Sequence, residues 1–347
     1  MDLVEALRAL PKAELHQHLD GSVRPATAVE LAEAIGMPLT LDDARGRMVG
    51  PPRCRNQAEL LAYFDLPIAL LQTEAALRRV TAELVDALAE DGVRYAEIRW
   101  APRLHLGRGL SVGDVIEAVA TGIGEATTPR ASAPLVCLIV TAMRLHPPAA
   151  NVELARTAAA VGHPVVGFDL AGPEAEWPAP PHAAAFREAQ EGGLALTVHA
   201  GEVPDPGRIR EALDLGAHRI AHGVTSIEDE QIVGLLRTRD VTLDVCPTSN
   251  VQAGIVSQLD EHPLARLHRA GVSVTISTDD RTVSDTTLTD EMARTATALR
   301  LTRGELAAIA VNGFRRAFAP PARVAPLLAE AERAWAAWAA EPDEIIG

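Results

Sequence analysis

The stretch Leu135-Val-Cys-Leu-Ile-Val140 is apolar without a break, and Val165-Val-Gly-Phe-Asp-Leu170 is apolar over most of its length. A strand with one solvated face alternates apolar and polar residues. A strand of a parallel sheet that is covered by helices is buried on both faces, so its sequence is a nearly continuous apolar run. These two stretches therefore predict buried strands of a parallel sheet in an α/β protein.

Six further short segments have the composition of strands, and stretches of helical period such as Glu74–Glu90 lie between several of them. Eight strand–helix units match a (β/α)8 TIM barrel better than an open doubly wound sheet. No glycine-rich dinucleotide fingerprint follows an early strand, which also disfavours the open sheet. The predicted strands are residues 13–19, 94–100, 135–142, 165–170, 195–199, 219–222, 242–245 and 272–278.

Two parts of the chain exceed what eight such units need. Residues 21–90, between the first two predicted strands, are too many for one helix, so we expect extra helices that form a lid. The stretch from Glu291 to the end is rich in alanine and is expected to be a helical C-terminal extension outside the barrel. No linker or low-complexity segment divides the chain, which predicts a single domain over residues 1–347.

Composition excludes several classes of protein. The formal net charge of −15 argues against nucleic-acid binding, because phosphate contacts require clustered lysines and arginines. No stretch approaches the ~20 apolar residues of a membrane span, and the first residues lack the apolar run of a signal peptide. The three cysteines are widely spaced and form no CxxC pair, as is typical of a reducing compartment. We therefore expect a soluble, cytoplasmic protein.

The segment His16-Gln-His18-Leu-Asp20-Gly21 ends the first predicted strand. Side chains on a strand alternate between two faces, so His16 and His18 point in the same direction. Two imidazoles on one face make half of a zinc site. An HxH pair alone is weak evidence, and the other ligands have to come from elsewhere in the chain.

Polar residues collect where the other predicted strands end, which is the rim where barrel enzymes place their active sites. His199 ends the fifth strand, and Asp279 and Asp280 follow the eighth. Two adjacent acids in a buried pocket repel each other unless a cation compensates one of them. His16, His18, His199 and Asp279 therefore become candidate ligands of a catalytic zinc ion, which needs three or four nitrogen or oxygen ligands and an open position for water.

Two further side chains of the rim are candidates for proton transfer. Glu202 follows His199 in the segment HAGE, where Gly201 permits a tight turn, so its carboxyl group can approach a substrate without being a ligand. His222 ends the sixth strand and is a candidate for holding or deprotonating a water molecule. The remaining histidines are assigned to loops and helix surfaces, and Thr248, Ser249 and Asn250 to turns and caps.

Taken together, these motifs resemble the adenosine deaminase family. The resemblance is specific because it covers nearly the whole chain, including YFDLPIALLQT in the expected lid and GVRYAEIRWAP at the second strand. The motifs that carry it, in the family's order, are PKAELHQHLDGSVRP, FDLAGPE, TVHAGE, RIAHG, DVCPTSN and TISTDD.

The resemblance implies a hydrolytic deaminase with one Zn²⁺ per chain. In that family the residue matching Glu202 protonates N1 of the purine, and the residue matching His222 orients and deprotonates the attacking water. Asp280 matches the carboxylate that hydrogen-bonds N7, which makes it both a catalytic and a substrate-binding candidate. The residues that match the family's zinc ligands are His16, His18, His199 and Asp279.

The resemblance also implies where the rest of a purine nucleoside lies. Gly172 matches a backbone N–H that meets N3, and Asp20 matches the residue near the ribose 5′ position. His18 is a further substrate-binding candidate. The implied reaction is hydrolysis at C6 of adenosine, which releases ammonia and leaves a 6-oxopurine nucleoside. The zinc signature of cytidine-type deaminases, PCxxC, is missing.

The exact substrate stays open at this point. Arg281 follows the two acids, where animal-type relatives resemble TDDP. We expect it to pair with a nearby acid such as Asp285, but if it faces the pocket it favours a carboxylate-bearing adenosine derivative. The alternatives are 6-amino-6-deoxyfutalosine, 5′-deoxyadenosine and adenine, and AMP deaminases share much of the motif set.

Two other classes of protein were weighed. A catalytically silent binding protein related to the deaminases is disfavoured by the complete set of metal and acid–base candidates. An amidohydrolase with two metals bridged by a lysine is disfavoured because no lysine ends the fourth strand, where Asp169-Leu-Ala-Gly172 lies instead. The sequence does not indicate an oligomeric state.

Overall fold

The computed structural model describes residues 2–128, 133–340 and 346. Eight strands are hydrogen-bonded in chain order, and each is parallel to the next. All eight predicted strands are confirmed, and β8 ends two residues earlier than expected. The strands are β1 (Lys12–His18), β2 (Val93–Trp100), β3 (Leu135–Met143), β4 (Val165–Ala171), β5 (Ala195–Ala200), β6 (Arg219–His222), β7 (Thr242–Val245) and β8 (Ser273–Ile276).

The sheet closes between its last and first strands just beyond β8. Asp279 forms a parallel bridge with Gln17 of β1. The backbone N–H of Asp279 donates to His16 O at 2.9 Å, and His18 N–H donates to Asp279 O at 2.7 Å. Because β1 and β8 are thereby neighbours, the architecture is the predicted (β/α)8 TIM barrel.

Helices surround the barrel and cover the outer faces of its strands, so the main apolar core runs continuously between sheet and helices. The predicted helix over residues 74–90 is present with those bounds as α6. The described helices are α1 (Leu3–Ala9), α2 (Pro25–Ala34), α3 (Leu41–Met48), α4 (Gln57–Leu61), α5 (Asp65–Leu70), α6 (Glu74–Glu90), α7 (Val112–Thr127), α8 (Pro148–Val161), α9 (Ala183–Glu191), α10 (Gly207–Asp214), α11 (Glu230–Thr238), α12 (Pro247–Gln252), α13 (Leu264–Arg269), α14 (Leu288–Ala298), α15 (Arg303–Arg315) and α16 (Pro321–Ala339).

The segment expected to form a lid divides into two parts. Helices α2 to α5 precede α6, which packs against α7 and β2 as an outer helix of the barrel. The lid is anchored by backbone hydrogen bonds to loops of the rim, from Gly50 N–H to Val283 O at 2.9 Å and from Cys54 N–H to Gln252 O at 2.7 Å. A small apolar cluster separate from the main core, which includes Cys54 and Val283, lies at this junction.

The expected C-terminal extension is also helical over the described residues. Helix α15 packs against β1 and β8, and α16 packs against α15. Trp335 of α16 is fully buried, and its indole N–H donates to Pro11 O at 2.8 Å. Residues 341–345 and 347, which the prediction included in the extension, lie outside the described residues. Over the described part of the chain, no helix combines the length and apolarity that crossing a bilayer requires.

Charged side chains are buried inside the barrel and pair across it. Arg219 of β6 donates through Nε to Asp244 Oδ2 of β7 at 2.8 Å, and its guanidinium also donates to Glu97 of β2. All three side chains are buried. The ring of Phe318 covers the guanidinium, with its centroid 3.6 Å from Cζ. Removal of one member would therefore leave the opposite charges buried without a partner.

We expect Arg219→Met to lower the free energy of unfolding by about 3–5 kcal/mol, because Glu97 and Asp244 lose their partner. Urea denaturation followed by circular dichroism measures this change. The matched control is Arg78→Met, which removes an exposed surface pair with Glu125 and should leave stability nearly unchanged. Equal stability of the two variants would contradict the role assigned to the buried charges.

Candidate metal centre and active site

The four predicted metal ligands meet at the carboxyl end of the barrel. His16 and His18 project from the same face of β1, His199 from β5, and Asp279 from the turn after β8. His18 Nε2 lies 3.3 Å from the Nε2 atoms of both His16 and His199, and 3.3 Å from Asp279 Oδ1. His16 Nε2 lies 3.0 Å from Asp279 Oδ1. Residues distant in sequence thus place three imidazole nitrogens and one carboxylate oxygen around one point.

This donor set fits a divalent metal ion. Zinc–nitrogen bonds of about 2.0–2.1 Å in tetrahedral geometry place neighbouring ligand atoms roughly 3.3 Å apart, close to the separations found here. Burial lowers the pKa of His18 to about 3 and lowers that of His16 well below its usual value, so both rings are neutral and offer a lone pair. His222 adds a fifth side chain, since its ligand atom and those of His16, His199 and Asp279 lie within 4.8 Å of one another.

His199 is oriented by Asp169, a residue that sequence analysis placed at the rim without a role. His199 Nδ1 lies 3.0–3.1 Å from the two carboxylate oxygens of Asp169, so Nδ1 carries the proton and Nε2 is free to bind a metal. Arg99 in turn contacts Asp169 Oδ2 at 3.4 Å. Burial alone would raise the pKa of Asp169, but His199 and Arg99 outweigh it and lower the value, which keeps the carboxylate ionised.

Asp279 occupies a strained backbone conformation. Its φ is +63°, a left-handed value that costs a residue with a side chain about 1–3 kcal/mol. Ser249 Oγ donates to Asp279 Oδ2 at 2.7 Å, which leaves Oδ1 toward the imidazoles. Burial acts to raise the pKa of Asp279, yet the surrounding histidines, His16 first, hold it well below its usual value. The carboxylate is therefore ionised and suited to bind a cation.

The turn that carries Glu202 depends on a glycine. Gly201 has a φ of +83°, and a Cβ there would come within 3.0 Å of Gly223 Cα, so the ends of β5 and β6 lie this close because Gly201 has no side chain. Glu174, which is fully buried, accepts the backbone N–H groups of Gly201 and Glu202, each at 2.9 Å. Glu174 thereby fixes the direction in which Glu202 leaves the turn.

Glu202 lies beside the four predicted metal ligands and is not one of them. Its Oε1 is 3.6 Å from His222 Nε2, and Gln57 of α4 hydrogen-bonds its carboxyl group from the lid. Burial raises the pKa of Glu202 to about 7, so the group can hold a proton at neutral pH. These are the properties of a general acid.

A second buried charge, that of Arg144, holds the same segment. Arg144 follows β3, and its Nη2 donates to His199 O at 2.6 Å while Nη1 donates to Trp177 O at 2.9 Å. Its guanidinium is almost fully buried. Arg144 and Glu174 thus bind the carbonyl of His199 and the amides of Gly201 and Glu202.

A cavity of about 260 Å³ opens from the cluster toward the lid. Asp20, Gly172 and Asp280, the predicted substrate-binding residues, all line it together with His18. Helices α4 and α5 and the turn between them contribute an apolar wall of Leu60, Leu61, Phe64 and Ile68.

Asp280 lies directly over Gly21, where any Cβ would overlap the carboxylate. Burial and then the neighbouring Asp279 raise the pKa of Asp280 well above its usual value. The Oδ1 atoms of Asp280 and of Asp20 are buried and have no hydrogen-bond partner among the described residues. Both residues line the cavity, so two carboxyl groups with an unsatisfied oxygen lie beside it.

Arg281 does not line this cavity. The prediction that it pairs with a nearby acid such as Asp285 named the wrong residue, because its Nη1 lies 3.1 Å from Asp91 Oδ2, 190 positions earlier in the chain. Asp91 also accepts the backbone N–H of Leu288 at 2.8 Å and so fixes the start of α14. A contact between Arg281 and an anionic substrate has no support in this arrangement.

Sequence analysis missed several residues that support the site. Ser249 and Asn250 were assigned to turns and caps, but Ser249 binds Asp279 and the Asn250 amide lies 3.1 Å from His222 Nδ1. Their position at the end of β7 was a signal that could have identified them. No comparable signal pointed to Gln57 in the lid or to His262, which only the tertiary structure brings to Asn250.

Comparison with known proteins supports the identity that this geometry indicates. The sequence model of the family described as "Adenosine deaminase" matches residues 11–333. The chain belongs to the adenosine deaminase family. It is therefore a hydrolytic deaminase, which confirms the predicted family and enzyme class.

Curated relatives match over nearly the whole chain. The adenosine deaminase of Enterococcus faecalis is 38% identical over 322 residues, which covers 91% of this chain and 94% of that protein. The adenosine deaminase of Mycobacterium tuberculosis is 38% identical over 337 residues, covering 91% of this chain and 92% of the relative.

Solved structures of deaminases share the barrel. The adenine deaminase from Arthrobacter aurescens superposes with a TM-score of 0.87 at 30% identity, covering 94% of this chain and 99% of the other. The N6-methyl-AMP deaminase from Arabidopsis thaliana gives 0.84 at 28% identity, with 95% and 98% covered. Both likenesses agree with the predicted fold.

We expect the purified protein to contain about one divalent metal ion per chain and His16→Ala to lose most of it, because one of the ligands of the set is removed. Elemental analysis after dialysis measures the metal content. His268→Ala on α13, outside the cluster, is the control and should retain the ion. Full metal content in His16→Ala would exclude the ligand set described here.

Proposed function

We propose that this enzyme is a Zn²⁺-dependent adenosine deaminase, which replaces the C6 amino group of a purine nucleoside with oxygen and releases ammonia. The observation that carries the proposal is the set of three imidazoles and one carboxylate at the end of a cavity that also holds a buried, protonatable Glu202. Hydrolysis at an aromatic carbon requires a metal-activated water and a proton donor side by side.

We propose His16, His18, His199 and Asp279 as the zinc ligands, with one ion per chain. The N3O donor set suits zinc better than magnesium or calcium, which prefer oxygen ligands. When bound, Zn²⁺ would supply a Lewis acid that lowers the pKa of water to about 7, so that a nucleophile is available at neutral pH.

Three side chains of the protein are proposed to transfer protons to the substrate or to form hydrogen bonds with the reacting groups. Glu202 donates a proton to N1, so that no full negative charge builds up on the ring while C6 is attacked. His222, whose Nε2 lies 3.6 Å from Glu202 Oε1, is placed to hydrogen-bond the oxygen that attacks C6. Asp280, with its raised pKa, is suited to donate a hydrogen bond to N7, because a protonated carboxyl carries an O–H.

The other cavity residues orient the nucleoside. Gly172, at the end of β4, is assigned to N3 through its backbone N–H, and its φ of +110° is a conformation that glycine adopts readily. Asp20 and His18 are assigned to the 5′ end of the ribose. The unpartnered Oδ1 of Asp20 is suited to accept a hydrogen bond from a hydroxyl group there.

The charges of the cavity favour an uncharged substrate. The titratable residues that line it are histidines and carboxylates, and no lysine or arginine is among its described lining residues. A 5′-phosphate or a distant carboxylate would therefore meet acidic groups without a compensating cation. This favours adenosine over AMP and over 6-amino-6-deoxyfutalosine. 5′-Deoxyadenosine and adenine, which are neutral, are the alternative substrates.

Two further predictions from the sequence are kept as proposals. The chain is proposed to work as one domain, since the lid, the barrel and the C-terminal helices pack on a shared core. The cytoplasmic location rests on cysteine usage, and the three cysteines are unpaired and buried.

We expect ammonia release from adenosine and weaker release from 5′-deoxyadenosine or adenine. AMP and 6-amino-6-deoxyfutalosine should release little, because no positively charged side chain among the described residues lines the cavity to pair with their anionic groups. A coupled ammonia assay with each compound at several concentrations measures kcat/KM. Preference for AMP would contradict the charge argument, and no turnover of any of the five would refute the proposed function.

We expect Glu202→Gln to lower kcat by about 10²–10⁴-fold, because the amide cannot give up a proton to N1. The variant should keep its metal, since Glu202 is not among the proposed ligands, and elemental analysis checks this. Glu176→Gln, an exposed glutamate of the β4–α9 loop, is the matched control and should stay fully active. An active Glu202→Gln enzyme would show that Glu202 is not the proton donor.

A further inference from the structure

Nε2 of His222 faces the cavity. The function of His222 depends on whether this nitrogen carries the proton of the ring. A neutral imidazole has one N–H and one lone pair, so it can act toward the cavity either as a hydrogen-bond donor or as a base. The resemblance to known deaminases implies a base. The hydrogen-bond partners of the ring determine which form is present.

The backbone N–H of Leu264 can only donate a hydrogen bond, so it determines the tautomer of its partner His262. The N–H of Leu264 donates to His262 Nδ1 at 3.1 Å. Because Nδ1 accepts this hydrogen bond, the proton of the neutral ring is on Nε2. Burial lowers the pKa of His262 to about 3, so the ring is neutral at physiological pH.

The proton on His262 Nε2 determines the orientation of the Asn250 side-chain amide. His262 Nε2, which carries the proton, lies 3.1 Å from Asn250 Oδ1, and an N–H requires the amide oxygen there. The amide nitrogen Nδ2 then faces the other way, 3.1 Å from His222 Nδ1. An amide NH2 group only donates, so Nδ1 of His222 accepts and its Nε2 carries the proton.

We propose that His222 presents an Nε2–H to the active site and acts there as a hydrogen-bond donor, held in this tautomer by the positioning residues His262 and Asn250. The groups that face Nε2 agree with this form. Asp279 Oδ2, at 3.9 Å, belongs to an ionised carboxylate that can only accept, and Glu202 Oε1, at 3.6 Å, is a carboxyl oxygen that can accept as well. A lone pair on Nε2 would instead point at the Asp279 carboxylate.

Two consequences follow for the reaction. Nδ1 accepts the Asn250 N–H and Nε2 carries the proton of the ring, so the nitrogen that faces the cavity offers a water molecule no lone pair. His222 is therefore not the base that deprotonates the water. An N–H aimed at an oxygen on which negative charge develops stabilises that charge, and such donors are typically worth about 10²–10³ in kcat.

The direct test is NMR of the metal-loaded enzyme labelled with ¹⁵N-histidine. Long-range ¹H–¹⁵N correlations distinguish the two neutral tautomers and the doubly protonated ring. The His222 signals are assigned by their loss in His222→Gln. We expect a proton on Nε2 and none on Nδ1 at neutral pH. A proton on Nδ1, or on both nitrogens, overturns the inference.

Asn250→Asp checks that this measurement responds to the partner of Nδ1. The substitution replaces the donor by an oxygen of nearly the same shape, so Nδ1 should become protonated. Wild-type spectra that match those of Asn250→Asp would overturn the assignment.

The role of His262 is tested by a pair of variants. His262→Leu removes the donor that orients the amide, so we expect mixed tautomers of His222 and a kcat lowered about tenfold or more with little change in KM. His262→Gln keeps an N–H at the position of Nε2 and should restore both. His268→Leu, on α13, is the control variant. Unchanged spectra and kcat in His262→Leu would contradict the positioning role.

The catalytic part of this inference rests on the proposed function, but the two can fail separately. An enzyme that deaminates adenosine while His222 carries its proton on Nδ1 leaves the function standing and overturns the tautomer. A protein with Nε2–H and no activity on any substrate of the panel refutes the function and supports the tautomer assignment.

Discussion

The backbone of Asp279 closes the barrel, and the rest of the active site depends on that closure. The N–H and the carbonyl of this one residue bond to His16 and His18 of β1, which brings the last strand against the first. Its left-handed φ turns the side chain toward the imidazoles of the same two histidines. The spacing of three ligands is therefore set by barrel closure, and strain at Asp279 persists because two strands determine its position.

The charges beneath the site extend this constraint into the barrel. Interiors of such barrels are usually filled by layers of branched apolar side chains. Here Arg99, buried and paired with Asp169, lies below His199, and Arg219 with its partners lies deeper. Buried charges are stable only when paired, so each pair restricts the strands that contribute to it. The ligand His199 is consequently held from below by Asp169 and from the side by Arg144.

The sequence predicted the parts of this arrangement that depend on local pattern. Apolar runs and strand-like composition identified all eight strands, and polar residues at strand ends identified the cluster, because parallel strands of a barrel end at one rim. Partners joined by long-range packing were not predictable. Arg281 pairs with Asp91 across 190 residues, and nothing near either residue distinguishes that acid from Asp285. His262 was assigned to a loop or a helix surface, but it is buried and contacts Asn250, which lies close to it only in the folded structure.

Substrate choice is separable from the chemistry in this fold. Deaminases named for different substrates share the barrel, so the fold cannot distinguish those substrates. The cavity wall that faces away from the cluster comes instead from the lid, through Leu60, Leu61 and Phe64. The lid carries its own small apolar cluster and is joined to the rim by backbone hydrogen bonds, which constrain its path but not its side chains. Its side chains can therefore change the shape of the cavity while His16, His18, His199 and Asp279 keep their geometry.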